Sequence, residues 1–226
     1  MKSYSPLFLF LAVVVSVCLV ISNILAVKQF DIHMFGYTFT STAGLIIFPL
    51  SYIINDCISE VWGYRNARLV IWMAFITNIL AVVMFQISVH LAPSPHWAEM
   101  QPAYASVLAQ TPRIAIASMI AFLFGSFLNA IVMSKMKLRQ KGKNFWFRAL
   151  VSTVVGELAD TFFFTMLGFI GVIPFEVVII IIVTETVLKT LYELIILPIT
   201  SMVVRYIKNR EQVDIYDEDI SYNPFK

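Results

Sequence analysis

The sequence predicts an all-α polytopic membrane protein with six transmembrane helices and both termini cytoplasmic, and three observations lead there. Of its 226 residues 59% are hydrophobic and 13% charged, with mean hydropathy +0.82, whereas a soluble domain carries about 25% charge. Six runs approach the about 20 apolar residues that a spanning helix needs. The cations, finally, are sorted by loop, which sets orientation in the bilayer.

The runs cover residues 6–27, 39–61, 69–92, 113–134, 149–172 and 177–204. The first begins after Lys2 and resembles a secretory leader, but it exceeds the about 7–15 residues of a leader's apolar region and further spans follow. Alternate loops hold Lys2, then Arg65 and Arg68, then the stretch from Lys135 to Arg148, then Arg205, Lys208, Arg210 and Lys226. The opposite side keeps Lys28 and Arg113, while Lys189 falls inside the last run. A loop at 93–112 with Pro93, Pro95, Pro102 and Pro112 opposes a long helix and reads as a stiff cap. Residues 1–207 form the expected membrane domain. Residues 208–226, rich in Asp and Glu without helical apolar periodicity, read as a flexible cytoplasmic tail.

Function is carried by charges inside the apolar runs: Asp56, Glu60, Glu157, Asp160, Glu185, Lys189 and Glu193. Each charge at mid-membrane costs about 2.5–3.5 kcal/mol on insertion scales, so such residues mark ligand or ion pathways. Asp160 lies near the middle of the fifth run and Lys189 near the middle of the sixth. Glu60, near the cytoplasmic rim, has Arg65 and Arg68 as candidate partners. Spacings of three or four place Asp56 with Glu60, Glu157 with Asp160, and Glu185 with Lys189 and Glu193 on common helix faces. The last set reads as an ion-pair ladder within one helix. Two sets of three spans, each with a diacidic middle span, also fit an inverted repeat.

Catalysis finds little support. GxSxG, HExxH and GxxxxGK[ST] are absent, and His33, His90 and His96 share no helical face. Cys18 and Cys57 sit in apolar runs without a zinc-type partner set. The reading is therefore a non-enzymatic membrane protein without cofactor or metal. A net charge of +2 gives no argument for nucleic acid.

Ser22-Asn23, the stretch PLSYIINDCISEVWGYRNAR at 49–68, RIAIAS at 113–118, STVVGELADTFFF at 152–164 and Lys189 together resemble the queuosine precursor transporter family, also described as vitamin uptake transporters. The resemblance covers residues 12–207. It implies import of a 7-deazaguanine base (the cyano or aminomethyl form, or queuine) through the bacterial inner membrane for tRNA modification. The expected substrate-binding set is Asn23, Asp56, Arg113, Ser118, Glu157, Asp160, Thr161, Glu185 and Lys189. Asp160 would accept from the donor edge of the base, Lys189 and Arg113 would balance charge or reach the ring carbonyl, and Asn23, Ser118 and Thr161 would add hydrogen bonds. Asp56 is an alternative gate or proton carrier. A substrate-capturing subunit that docks a coupling protein through the basic loop at 135–148, a homo-oligomer, and a purely structural membrane partner are the other classes compatible with these residues.

Overall fold

A computed structural model describes residues 4–34, 37–109, 112–172 and 174–225; Lys2 and Lys226 of the charge pattern lie outside them. Helix α1, Pro6–Leu25, starts where Ser5 Oγ accepts the Phe8 N–H at 3.1 Å, with proline in the first turn. Phe8, Leu11, Ala12 and Val15 are buried, whereas Leu9, Phe10, Val13 and Val17 are exposed. An apolar face turned outward as well as one turned inward suits a helix with lipid on its far side. The same outward apolar surface recurs at Ile76, Leu80, Ile180, Ile195 and Met202.

After α1 the chain makes an antiparallel hairpin, β1 (Gln29–Met34) with β2 (Tyr37–Thr42), in a register that pairs Gln29 with Thr42 and Met34 with Tyr37. The expected span at 39–61 is therefore shorter at its start: it opens with strand and a 3-10 turn, Ala43–Ile46, and helix begins only at Phe48. The β-branched Thr38, Thr40 and Thr42, with aromatic Phe39 among them, favour an extended backbone over helix.

Helix α2, Phe48–His90, is broken at Gly63, whose φ of 78° and ψ of 173° are essentially a glycine conformation. The break reverses the chain. Asn55 and Ile71 line one cavity, although a continuous helix would separate them by about 24 Å. At the turn, a Cβ on Gly63 would lie 2.6 Å from Asp217 Oδ1. The expected loop at 62–68 is thus a single-residue break, with helix resuming at Tyr64.

A 3-10 turn (Ala98–Met100) and short α3 (Gln101–Leu108) occupy the Pro-rich segment. Its Tyr104 hydroxyl bonds Ser88 and Gln101 Nε2 donates to Val89 O at 2.8 Å, tying the cap to the end of α2. Helices α4 (Pro112–Arg139) and α5 (Phe145–Phe169) form the most extensive helix pair. Glycine permits their close approach: a Cβ on Gly125 would meet Asp160 Cβ at 2.8 Å, and one on Gly156 would meet Asn129 Cβ at 2.9 Å. Helix α6, Phe175–Glu211, packs on α5 and α2 and contains Pro198.

Among the described residues, four stretches are long and apolar enough to cross a membrane: Pro6–Leu25, Leu50–His90, Ala98–Arg139 and Phe145–Phe169. The Leu50–His90 stretch holds two of the six expected runs, one on each side of Gly63. The apolar run of α6 is interrupted by Glu185, Lys189 and Glu193.

The tail differs from expectation. Ile215 N–H donates to Val61 O at 3.0 Å, Trp72 Nε1 to Pro224 O at 2.9 Å and Arg68 to Asn223 O at 2.8 Å. Asp217 Oδ2 accepts from Tyr64 N–H at 2.7 Å and Ser134 Oγ at 2.5 Å. Acidic composition suggests solvation, but Asp217 and Asp214 meet donors of the helical bundle, while Val213, Ile220 and Tyr222 pack on the apolar core.

Replacing Gly63 with Val forces a β-branched residue into the positive-φ turn and a side chain into Asp217. The expected loss is about 1–3 kcal/mol from backbone strain alone, read as a lower unfolding temperature of the detergent-solubilised protein.

Candidate functional site

Between α1, both arms of α2, α4 and α5 lies a cavity of about 170 Å³. Its wall is mostly apolar, with Val15, Leu19, Ile71, Phe122 and Phe164, and carries polar groups from four helices: Ser22 and Asn23 of α1, Ser51, Tyr52 and Asn55 of α2, Ser118 and Ser126 of α4, and Asp160 of α5. That volume lies below the about 300–1,000 Å³ of drug-sized sites.

One end of the wall is fixed by amides. Asn23 Nδ2 donates to Asn78 Oδ1 at 2.8 Å, and Ser118 Oγ donates to Asn23 Oδ1 at 3.3 Å, so α1, α2 and α4 are joined at one level. At the other end Lys189 of α6 reaches across to α5. Its Nζ is 3.1 Å from Asp160 Oδ2, 3.2 Å from Glu157 Oε2 and 3.4 Å from Thr161 Oγ1. Glu157 also pairs with the Tyr52 hydroxyl. Glu157 is 1% exposed and Asp160 19%, so Asp160 presents a carboxylate to the cavity while its neighbour anchors the lysine from behind. The ladder expected within α6 is replaced by a bridge between helices, with Glu185 adding only longer-range attraction for Lys189.

The sequence-predicted residues therefore divide. Asn23, Ser118 and Asp160 line the cavity; Glu157, Thr161 and Lys189 stand directly behind Asp160. Arg113 does not face it: Nε and Nη2 donate to Leu167 O at 2.7 Å and Ile170 O at 2.6 Å. A cation is well placed there because the C-terminal carbonyls of α5 lack helical partners. Asp56 and Glu185 are likewise absent from the wall. Tyr52 and Asn55 were missed as lining residues, although a signal existed: they precede Asp56 and Ser59 by four, on the helix face that those polar residues define.

A second charged cluster closes the end of the bundle where the tail docks. The Glu60 carboxylate, 0% exposed, accepts from Arg148 Nε at 2.9 Å, Arg148 Nη2 at 2.5 Å and Lys208 Nζ at 2.6 Å. Arg65 and Arg68, its expected partners, are not among these donors. Lys137 Nζ bonds Glu60 O and Asp214 Oδ1, each at 2.5 Å. Burial pushes the Asp214 carboxyl up, but hydrogen bonds from Lys137 and Lys208 outweigh it and hold the group below its ordinary value. This stabilisation is present above the unfolded-state pKa and disappears as pH falls through the folded-state value.

An apolar-surfaced helical bundle around an internal cavity with polar groups in its wall and a bridged internal ion cluster defines a multi-pass membrane transport protein. The sequence profile described as "Putative vitamin uptake transporter" matches residues 42–203, and the chain belongs to that family. It is 28% identical over 194 residues to the "Probable queuosine precursor transporter" of Bacillus subtilis (strain 168), covering 85% of this chain and 82% of that one. It is 30% identical over 133 residues to the protein of the same description from Haemophilus influenzae (strain ATCC 51907 / DSM 11121 / KW20 / Rd), covering 59% of this chain and 54% of that one. No solved structure matches.

Substitution of Glu60 by Ala leaves buried Arg148 without its bidentate acceptor. Breaking such a pair costs about 3–5 kcal/mol. The expected result is a sharply lower unfolding temperature for Glu60→Ala, partly restored in the double variant with Arg148→Met.

Proposed function

We propose that this protein imports a queuosine precursor, a 7-deazaguanine base such as the cyano or aminomethyl form or queuine, across the bacterial inner membrane for tRNA modification. The observation that carries this reading is Asp160, held by Lys189 and turned into a small cavity walled by Tyr52, Phe122 and Phe164. A guanine-type edge offers adjacent N–H donors, which one carboxylate accepts together. Flat aromatic faces suit a planar bicyclic ring. Asn23, Asn55 and Ser118 supply further donors and acceptors around the rim.

Lys189 has two roles in this scheme. Its ammonium balances the charge of the Asp160 carboxylate, and its tether to Glu157 fixes where that carboxylate points. The names of the two relatives support the cargo class. Both termini are cytoplasmic in this reading, with six crossings: α1, the two arms of α2, α4, α5 and α6. The clustering of Arg65, Arg68, Lys135, Lys137 and Lys208 at the end that also holds Glu60 supports that orientation.

Exchange of Asp160 for Asn abolishes precursor uptake while the protein stays in the membrane, measured as queuosine restored to the tRNA of a precursor-requiring cell. Undiminished restoration rejects the site. For topology, single cysteines at Ser94 and Lys141 in a Cys18→Ala/Cys57→Ala background are expected to react with an impermeant thiol reagent from outside and only after permeabilisation, respectively. The reverse pattern rejects the orientation.

A further inference from the structure

Between the cavity and the Glu60 cluster the bundle buries a second pair of acids. Asp56 of α2 is 0% exposed, Glu193 of α6 is 3% exposed, and the two are close enough to act on each other electrostatically. Asn129 of α4 reaches Asp56, but neither Asp56 oxygen has a well-aligned hydrogen bond, nor does Glu193 Oε1. Asn129 is also 0% exposed, and its amide nitrogen and oxygen likewise lack a well-aligned partner. A poorly paired buried amide next to poorly paired carboxyl oxygens is costly unless something joins them.

The surrounding charges are already committed. On its own helix Asp56 has Tyr52, Cys57 and Glu60 as titratable neighbours. Tyr52 is held by Glu157 of α5, and Glu60 by Arg148 of α5 and Lys208 of α6. Lys189, one turn from Glu193 on α6, is bound to Glu157 and Asp160. Two adjacent carboxylates without a cation cannot both remain ionised in a dry interior, and among the described residues no group of three His, Cys, Asp or Glu side chains is arranged to hold a metal ion.

We infer that Asp56 and Glu193 share one proton and form the coupling site of the transporter, with Asn129 donating to the ionised oxygen and accepting from the protonated one. The inference rests on the transport reading above. A second proton arriving from the cavity side adds to the remaining carboxylate oxygen to give two neutral acids, and one O–H bond breaks as a proton leaves toward the cytoplasmic side, which returns the pair to one shared proton. No redox step or further reactant is involved. Gain and loss of this charge bias how α2 and α6 pack, and therefore which side the cavity faces.

Purified protein in liposomes tests this with labelled 7-aminomethyl-7-deazaguanine as the probe. An inward gradient of one pH unit is expected to raise wild-type accumulation up to about tenfold per proton carried. Glu193→Gln and Asp56→Asn should each lose that rise, while Glu193→Gln retains exchange of internal for external probe. Accumulation driven by a sodium gradient alone, or an undiminished proton effect in both variants, overturns the proposal. An infrared carboxylic-acid band at neutral pH, recorded without cargo, should be present in wild type and lost in Asp56→Asn/Glu193→Gln; its absence from folded wild type also overturns the proposal. If wild type binds no deazaguanine, the cargo assignment fails, while the infrared band still decides whether the pair carries a proton.

Discussion

The contact on which the bundle's interior depends is the ammonium of Lys189 between the carboxylates of Glu157 and Asp160. Without the lysine, two acids one helical turn apart would repel within a low-dielectric space; without the acids, a primary ammonium would have to find water. Held together, they join α5 to α6 and leave one carboxylate facing the cavity. An apolar substitute would pack as well at lower cost, so the retained charge is understandable as recognition chemistry. The glycines at 125 and 156 belong to the same arrangement, since they let α4 approach α5 closely where both helices line the cavity.

Much of this was legible in the sequence. Apolar runs marked where helices lie, and charges inside them marked which helix faces turn inward. Asp160 and Lys189 stand out because both sit at mid-span, where a lone charge is least tolerable. What remained hidden were choices of partner. The four-residue spacing of Glu185, Lys189 and Glu193 satisfied a ladder within one helix equally well, and nothing local could reveal that α5 stands nearer. Arg113 looked like a ligand group because it opens α4, yet the carbonyls of another helix end take it up.

The boundaries failed for a different reason. A run of hydrophobicity cannot distinguish a helix from a strand that feeds one, so 39–47 was absorbed into a span. Gly63 ranked as one glycine among eight until its positive φ and the folding back of α2 identified it as the reversal point. The acidic tail was judged by composition alone. Its carboxylates acquire meaning only beside Tyr64 N–H, Ser134 and Lys137, which are distant in sequence.

That docking has a consequence for biosynthesis. The tight reversal after Trp62 is capped by Asp217, which leaves the ribosome later than every membrane helix. During translation the backbone amide of Tyr64 therefore lacks its eventual acceptor, and the bundle becomes fully locked only after α6 has been made. Maturation of the nascent chain thus depends on its carboxyl-terminal portion, because a chain cut short before residue 217 lacks the group that caps this reversal.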